Sequence, residues 1–293
     1  MSRALADALD RILRADERAV MAATMFTPAQ RRELDSFARQ TGALRLTALR
    51  GGSVYLLIDP ALARAHLAVL RPTALADLDA SMPARTNNIA RMRNSKGRGH
   101  AHGTGYLLLK AIGAEVMWRR GDGAVVDISA ATALNGAAAI AIKADDGWHT
   151  DAPIWLVENQ ALFDRLDWLP ADAHGSIVYY GGQLSKLLLE WMALRARGSL
   201  IVSFPDYDGV GLFNYARLRE KSLAPVEFWL MPNWDRLLRK YGSNRVWQST
   251  RKDFVAAVER LEVLGMPMAV RALCQAMSQE GLALEHEAVW LLT

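Results

Sequence analysis

Glu158 closes the apolar run "IWLVE", and Asp206 and Asp208 stand two apart behind a second apolar run in "VSFPDYDGVG". In extended chain a spacing of two sends both aspartates the same way, so a glutamate ending a neighbouring strand could meet them on one rim. Hard cations take oxygen ligands, commonly one or two carboxylates completed by water or substrate phosphate. The trio is therefore a sufficient candidate site for Mg²⁺ (or Mn²⁺), with Glu158, Asp206 and Asp208 as candidate catalytic residues for phosphoryl chemistry. Asp-Tyr-Asp-Gly is also good turn chemistry, with Asp capping a helix and Gly supplying an unusual backbone angle. The motif alone leaves both readings open.

The elements around these residues predict an α/β fold. From about residue 151 apolar runs alternate with amphipathic stretches: "IWLVE", "NQALFDRL", "SIVYY", "QLSKLLLEWMALRA", "LIVSF", "GLFNYARLRE" and "VEFWLM", then a helical tail. Such runs indicate a mostly parallel, Rossmann-like sheet covered on both faces, with ligands at the carboxyl ends of its strands. "PADAHG" at 170–175 reads as a surface loop. The front of the chain has another grammar. Ser2 can cap a helix carrying Leu5, Leu9, Ile12 and Leu13 on one face. "TPAQ" opens a second helix with a Thr27–Gln30 capping box and Pro28 at the first position, which should stop at Gly42. "ALRLTALRGGSVYLLID" predicts two strands about a Gly-Gly turn. "PALARAHLAVL", "TALADLDA" and "ARTNNIARMR" read as helices, and "AEVMWRRGDGAVVDIS" as a second hairpin resembling the first. Helices followed by hairpins predict a winged-helix-like region over 1–150, with two such units in view, and an α/β domain over 151–293.

Charge separates the same two parts. Residues 1–150 carry 20 Lys+Arg against 14 Asp+Glu, and 151–293 carry 15 against 17. No acidic residue lies between Asp79 and Glu115, an interval holding Arg85, Arg91, Arg93, Lys96, Arg98, His100, His102 and Lys110. The glycines of "RNSKGRGHAHGTGY" would let backbone N–H groups approach phosphates, and its cations would supply sequence-independent attraction. Arg91, Arg93, Lys96, Arg98, His100 and His102 are accordingly the candidate DNA-binding residues. The stretch lacks the order of a nucleotide P-loop. Cys274 is the one cysteine, which excludes an internal disulfide, and its apolar helical setting predicts a buried thiol. Of the nine tryptophans, Trp148 in a polar turn is expected to be exposed. Apolar runs too short to span a bilayer and a charged N-terminus predict a soluble, cytoplasmic protein.

"WLVENQALFDRL", "SIVYYGGQLSKLLLEWM", "LIVSFPDYDGVGLFNYARLRE" and "GLALEHEAVWLL", in that order, resemble the toprim domain of the nuclease subunit of Wadjet plasmid-defence systems (JetD), itself related to the A subunit of topoisomerase VI. The resemblance covers roughly residues 151–293. It implies that Glu158 acts in acid–base catalysis, that Asp206 and Asp208 bind Mg²⁺, and that Glu285 or Glu287 of "LEHE" is a further metal ligand. It also implies a DNA endonuclease with double-stranded DNA as substrate, an SMC/condensin-like ATPase complex as partner, and a homodimer if both strands are cut. Pro205 stands where the family usually has glycine; it fixes the backbone and removes an N–H just before the first aspartate. No tyrosine matches the nucleophile of the topoisomerase relatives, Tyr55 and Tyr106 reading as core or surface residues, so hydrolysis by water is expected. Two alternatives stand beside this one: a non-catalytic DNA-binding subunit, and a phosphatase of the haloacid-dehalogenase type, which also opens with a strand and DxDG but needs a later adjacent acidic pair not found here.

Overall fold

The computed structural model describes residues 3–15, 20–49, 51–73, 81–92, 103–113 and 115–292. The chain divides into two units, residues 1–101 and 102–293. In the first unit α1 (Arg3–Arg14), β1 (Val20–Ala22), α2 (Pro28–Thr41), β2 (Leu44–Leu49), β3 (Gly52–Leu57), α3 (Pro60–Leu70) and α4 (Ala84–Met92) follow in order. The strands form an antiparallel sheet of order β1-β3-β2. Helix α2 starts as its sequence dictates: the Thr27 side chain accepts from Gln30 N, Gln30 reaches back to Thr27 N, Pro28 occupies the first turn, and Gly42 ends the helix with φ 69°. Leu5, Leu9, Ile12, Leu34, Phe37 and Tyr55 make its core, and the Tyr55 hydroxyl donates to Asp35 at 2.7 Å. Tyr55 is thus a core residue.

The second unit contains β4 (Gly105–Ile112), β5 (Met117–Arg119), β6 (Val125–Asp127), α5 (Ile128–Asn135), β7 (Ala138–Ile142), β8 (Ile154–Val157), α6 (Gln160–Asp164), β9 (Gly175–Tyr179), α7 (Lys186–Leu194), β10 (Ile201–Phe204), α8 (Gly209–Lys221), β11 (Val226–Phe228), α9 (Trp234–Tyr241), α10 (Asn244–Val263), α11 (Met268–Glu280) and a final 3₁₀ segment, His286–Leu292. Six strands form one sheet in the order β11-β10-β8-β9-β4-β7. The four from β8 onward are mutually parallel, while β4 and β7 extend the edge antiparallel. Because β4 and β7 belong to this sheet, the division falls after Ala101 rather than after residue 150. The β5–β6 hairpin likewise lies in the second unit, as a two-stranded sheet of its own, so it is not a second copy of the β2–β3 arrangement. The charge follows the same line: residues 1–101 hold 16 Lys+Arg against 9 Asp+Glu, and residues 102–293 hold 19 against 22.

Alternate residues of the parallel strands feed two cores. Trp155, Val157, Val202 and Phe204 pack with Leu162 and Phe163 of α6, Leu212 and Tyr215 of α8, and residues of α10 and α11. Ile154, Leu156 and Ile201 pack on the opposite face with Leu188, Leu189 and Trp191 of α7 and with Trp118. Near-continuous apolar strands are the signature of a sheet covered on both sides. Trp148 joins the second core at 6% exposure, contrary to the expectation of a surface residue. Its carbonyl accepts from the buried Arg197 at 2.8 Å and its N–H is turned onto Asp146, so the polar flanks serve the backbone while the ring packs inward. Cys274 is buried, and burial pushes its thiol up to about 12. Among the described residues no helix is long and apolar enough to cross a membrane.

Helix α8 begins where it lies hard against α10. A Cβ added at Gly209 would sit 2.0 Å from the Thr250 carbonyl oxygen, and one at Gly211 would sit 2.1 Å from that of Asp206. Both clashes are with backbone, which cannot rotate away. Gly209→Ala is therefore expected to destabilise the protein by about 3 kcal/mol, the upper part of the range for overpacking, read as a lowered urea midpoint. An unchanged midpoint would contradict so close an approach.

Candidate metal centre

The chain crosses β8 on its way from β9 to β10, so strand order reverses between β8 and β10 and opens a crevice at their carboxyl ends. The register pairs Val157 with Phe204. Glu158 therefore lies one residue past β8 and Asp206 two past β10, on the same rim. Pro205 is buried between Phe204 and Asp206 and does not keep the Asp206 carboxylate from that rim. Tyr207 is fully buried between the two aspartates; its hydroxyl donates to the Trp229 carbonyl (3.2 Å) and accepts from Met231 N–H (2.7 Å), anchoring the loop to the segment after β11.

A distant stretch of chain completes the site. Tyr207 and Leu284 exchange backbone hydrogen bonds of 2.8 and 3.0 Å, and Ser243 and Ala283 exchange bonds of 2.7 and 3.2 Å. These bridges lay the "LEHE" stretch alongside the aspartate loop. The His286 N–H donates to Asp206 Oδ1 at 2.9 Å, its ring Nδ1 lies 3.0 Å from the same oxygen, and Nε2 lies 3.7 Å from Glu287 Oε2. Asn159, next to Glu158, caps α6 through its Oδ1 and donates from Nδ2 to Glu287. Among the described residues Asp206, His286 and Glu287 form a group able to hold a metal ion, with one ligand atom from each lying within 4.8 Å of the others.

The sequence-derived set is thus brought together in part. Asp206 and Glu287 meet, and His286, unexpected as a ligand, lies between them. Asp208 is adjacent but engaged: its Oδ1 accepts from Gly211 N at 2.7 Å as the N-cap of α8. Both readings of Asp-Tyr-Asp-Gly therefore hold, one for each aspartate. Glu158 stands outside the close group and accepts from the Tyr180 hydroxyl at 3.3 Å. Glu285 is exposed and lines a cavity of about 520 Å³ with Tyr241, Ser243, Leu291 and Glu287 itself. It is not brought to the group, because the 3₁₀ turn that begins at His286 carries His286 and Glu287 inward. Arg91, a candidate DNA contact, is buried at 7% exposure. Arg93, Lys96, Arg98, His100 and His102 lie outside the described residues. Tyr180 and His286 were legible only as neighbours of predicted residues, at the end of "SIVYY" and inside "LEHE".

The electrostatics are those of crowded carboxylates. Burial, and then the charge of Asp206, raise Glu158 to about 7. Burial raises Asp208 to about 6 against the opposing hydrogen bond from Gly211. Burial would also raise Asp206, but His286 outweighs it and holds that carboxyl below its ordinary value. His286 is raised despite its burial, by Asp206 first and then Glu287 and Glu158. Near neutral pH the rim therefore carries protons that a divalent cation could displace. The donors fit such an ion: carboxylate oxygens, and a buried imidazole whose ring nitrogens have no aligned hydrogen-bond partner. No protein-family model matches the chain, and no curated protein is significantly similar to it.

Proposed function

We propose that the protein is a DNA endonuclease of the toprim type, dependent on Mg²⁺ or Mn²⁺, that hydrolyses phosphodiester bonds in double-stranded DNA as the nuclease of a Wadjet-like defence system. The observation that carries this is a set of partly buried, electrostatically strained carboxylates at the reversal point of a parallel sheet, where such folds place their ligands. The motif order over residues 151–293 and the cationic surplus of residues 1–101 agree with it. In this reading Asp206, Glu287 and His286 hold the ion, with Asp208 placed to contribute its second oxygen. Bound there, the cation would stabilise charge on a scissile phosphate. Glu158, raised to about 7, takes and returns a proton at operating pH, and the Tyr180 hydroxyl orients it. The first unit, winged-helix-like in this reading, and the basic 93–106 stretch hold the DNA backbone without reading its bases. A homodimer would supply two such rims for double-strand cutting, and an SMC/condensin-like ATPase complex would deliver the DNA.

Supercoiled plasmid incubated with Mg²⁺ or Mn²⁺ tests the assignment. Nicked or linear product is expected from the wild type and not from the Glu158→Gln, Asp206→Asn double variant. Persistent cleavage by the double variant would sink it. Steeply salt-dependent DNA binding without cleavage, under either metal and with the partner complex present, would instead identify a non-catalytic DNA-binding subunit.

A further inference from the structure

An all-oxygen Mg²⁺ site gives the imidazole of His286 no part in holding the ion. Its side chain is completely buried, and neither ring nitrogen has an aligned hydrogen-bond partner. Nδ1 lies 3.0 Å from Asp206 Oδ1 and Nε2 3.7 Å from Glu287 Oε2, so each ring nitrogen stands beside a carboxylate oxygen without an aligned bond to it, an arrangement that a cation shared by ring and carboxylate would satisfy. The ring is not loosely placed. Its own backbone N–H is bonded to Asp206, the bridge at Leu284 fixes the approach, and Phe204 packs against it with ring centroids 5.4 Å apart. Glu287 is held from the other side by Asn159. Nε2 and Glu287 Oε2 are 3.7 Å apart, a separation within the reach of two metal–ligand bonds of about 2.1 Å.

We infer that the ion at this rim is bound through a nitrogen of His286 together with carboxylate oxygens of Asp206 and Glu287, and that the site consequently selects Mn²⁺ or a later first-row divalent ion over Mg²⁺. Mg²⁺ demands near-ideal octahedral oxygen coordination and dehydrates reluctantly. Imidazole is a donor suited to first-row transition ions, whose affinity for mixed nitrogen and oxygen sites rises from Mn²⁺ onward. The inference rests on the proposed function only in taking a divalent cation to sit here; it requires no nuclease chemistry. The competing explanation is purely structural: an imidazolium between Asp206 and Glu287 would itself provide the positive charge and bind nothing.

Full-length protein stripped with chelator, titrated separately with Mn²⁺ and Mg²⁺ by calorimetry, distinguishes the two, together with electron spin-echo envelope modulation of the Mn²⁺ complex. Expected are Mn²⁺ affinity at least about tenfold above that for Mg²⁺ and a ¹⁴N coupling from directly bound imidazole. His286→Gln should abolish the coupling and weaken Mn²⁺ by about tenfold or more while changing Mg²⁺ far less. Equal affinity for the two ions, or a wild-type Mn²⁺ spectrum free of nitrogen coupling, would overturn the inference, and the wild-type spectrum needs no variant to fold. Plasmid cleavage with a nitrogen-free spectrum removes this inference and leaves the nuclease standing. Nitrogen-coupled Mn²⁺ without cleavage does the reverse, and failure to bind either ion removes both.

Discussion

With divalent ions chelated, Glu158→Gln should be more stable than the wild type at pH 8 and no more stable at pH 4, and on the nuclease function proposed for the protein it should lose all DNA cleavage. Glu158 titrates near 7 in the folded protein against 4.5 ordinarily, so between those values the native state binds a proton that the unfolded chain has released. Wild-type stability from this group is therefore full below about pH 4.5, falls as the pH rises, and is lost above about 7. The shift corresponds to about 3 kcal/mol at ~1.4 kcal/mol per unit. Gln carries no charge and can still accept from Tyr180, so the gap between variant and wild type should open across that window to roughly 2–3 kcal/mol. Urea denaturation at pH 4, 6 and 8 measures it. If the two proteins lose stability in parallel, Glu158 is not the strained acid described above. A residue whose removal stabilises the fold is one retained for another reason.

Asp206→Asn should do the opposite. Asp206 is the partner of both the backbone and the ring of His286, and its carboxylate is what raises the imidazole most against burial. Asn can accept the backbone N–H but leaves the buried ring with only the more distant Glu287 and Glu158 as counter-charges. Losing one member of a buried pair costs up to ~3–5 kcal/mol; with the Asp206 side chain 30% exposed, a loss of about 2 kcal/mol is expected once that figure is discounted for solvent. The sign with pH also differs from that at Glu158. The depressed Asp206 contributes above the ordinary aspartate range, and the raised His286 contributes until the pH climbs through its folded value. The deficit of the variant should be largest between those limits and shrink toward alkaline pH, as denaturation midpoints will show. On the proposed nuclease function, metal-dependent cleavage should fall by roughly 10²–10³ or more, since the developing charge would lose its stabiliser. Cleavage at wild-type rate by this variant would place the catalytic ion elsewhere.

The parallel strands, the α2 capping box and the rim glutamate and aspartates were legible because each is a local pattern: a short apolar run, a Thr27-to-Gln30 spacing, an acid at a strand end. What escaped depends on distance along the chain. Strand β4 pairs with β7 and with β9, and nothing in "GYLLLKAI" states that it will extend a sheet whose parallel strands begin some forty residues later. The same non-local pairing moves the boundary between units to residue 101. His286 meets Asp206 across 80 residues, and only the Tyr207–Leu284 bridge makes them neighbours. Asp208 escaped differently: cap and ligand need the same residue type at the same place, and only the bond from Gly211 shows which role its Oδ1 has taken.

The two bridges at Ala283 and Leu284 have a thermodynamic meaning beyond geometry. Four backbone hydrogen bonds dock the stretch that delivers His286 and Glu287 to a rim whose other acids sit on the sheet itself. Such a segment can detach by sub-global opening at lower free energy than the sheet unfolds. For an ion held there as proposed, an undocked stretch would present half a chelate, and the apparent dissociation constant would be the intrinsic one divided by the docked fraction. On that proposal, affinity at the rim would be set in part at Ser243 and Tyr207, outside the proposed ligand set, and amide exchange at 283 and 284 would slow as the metal is added.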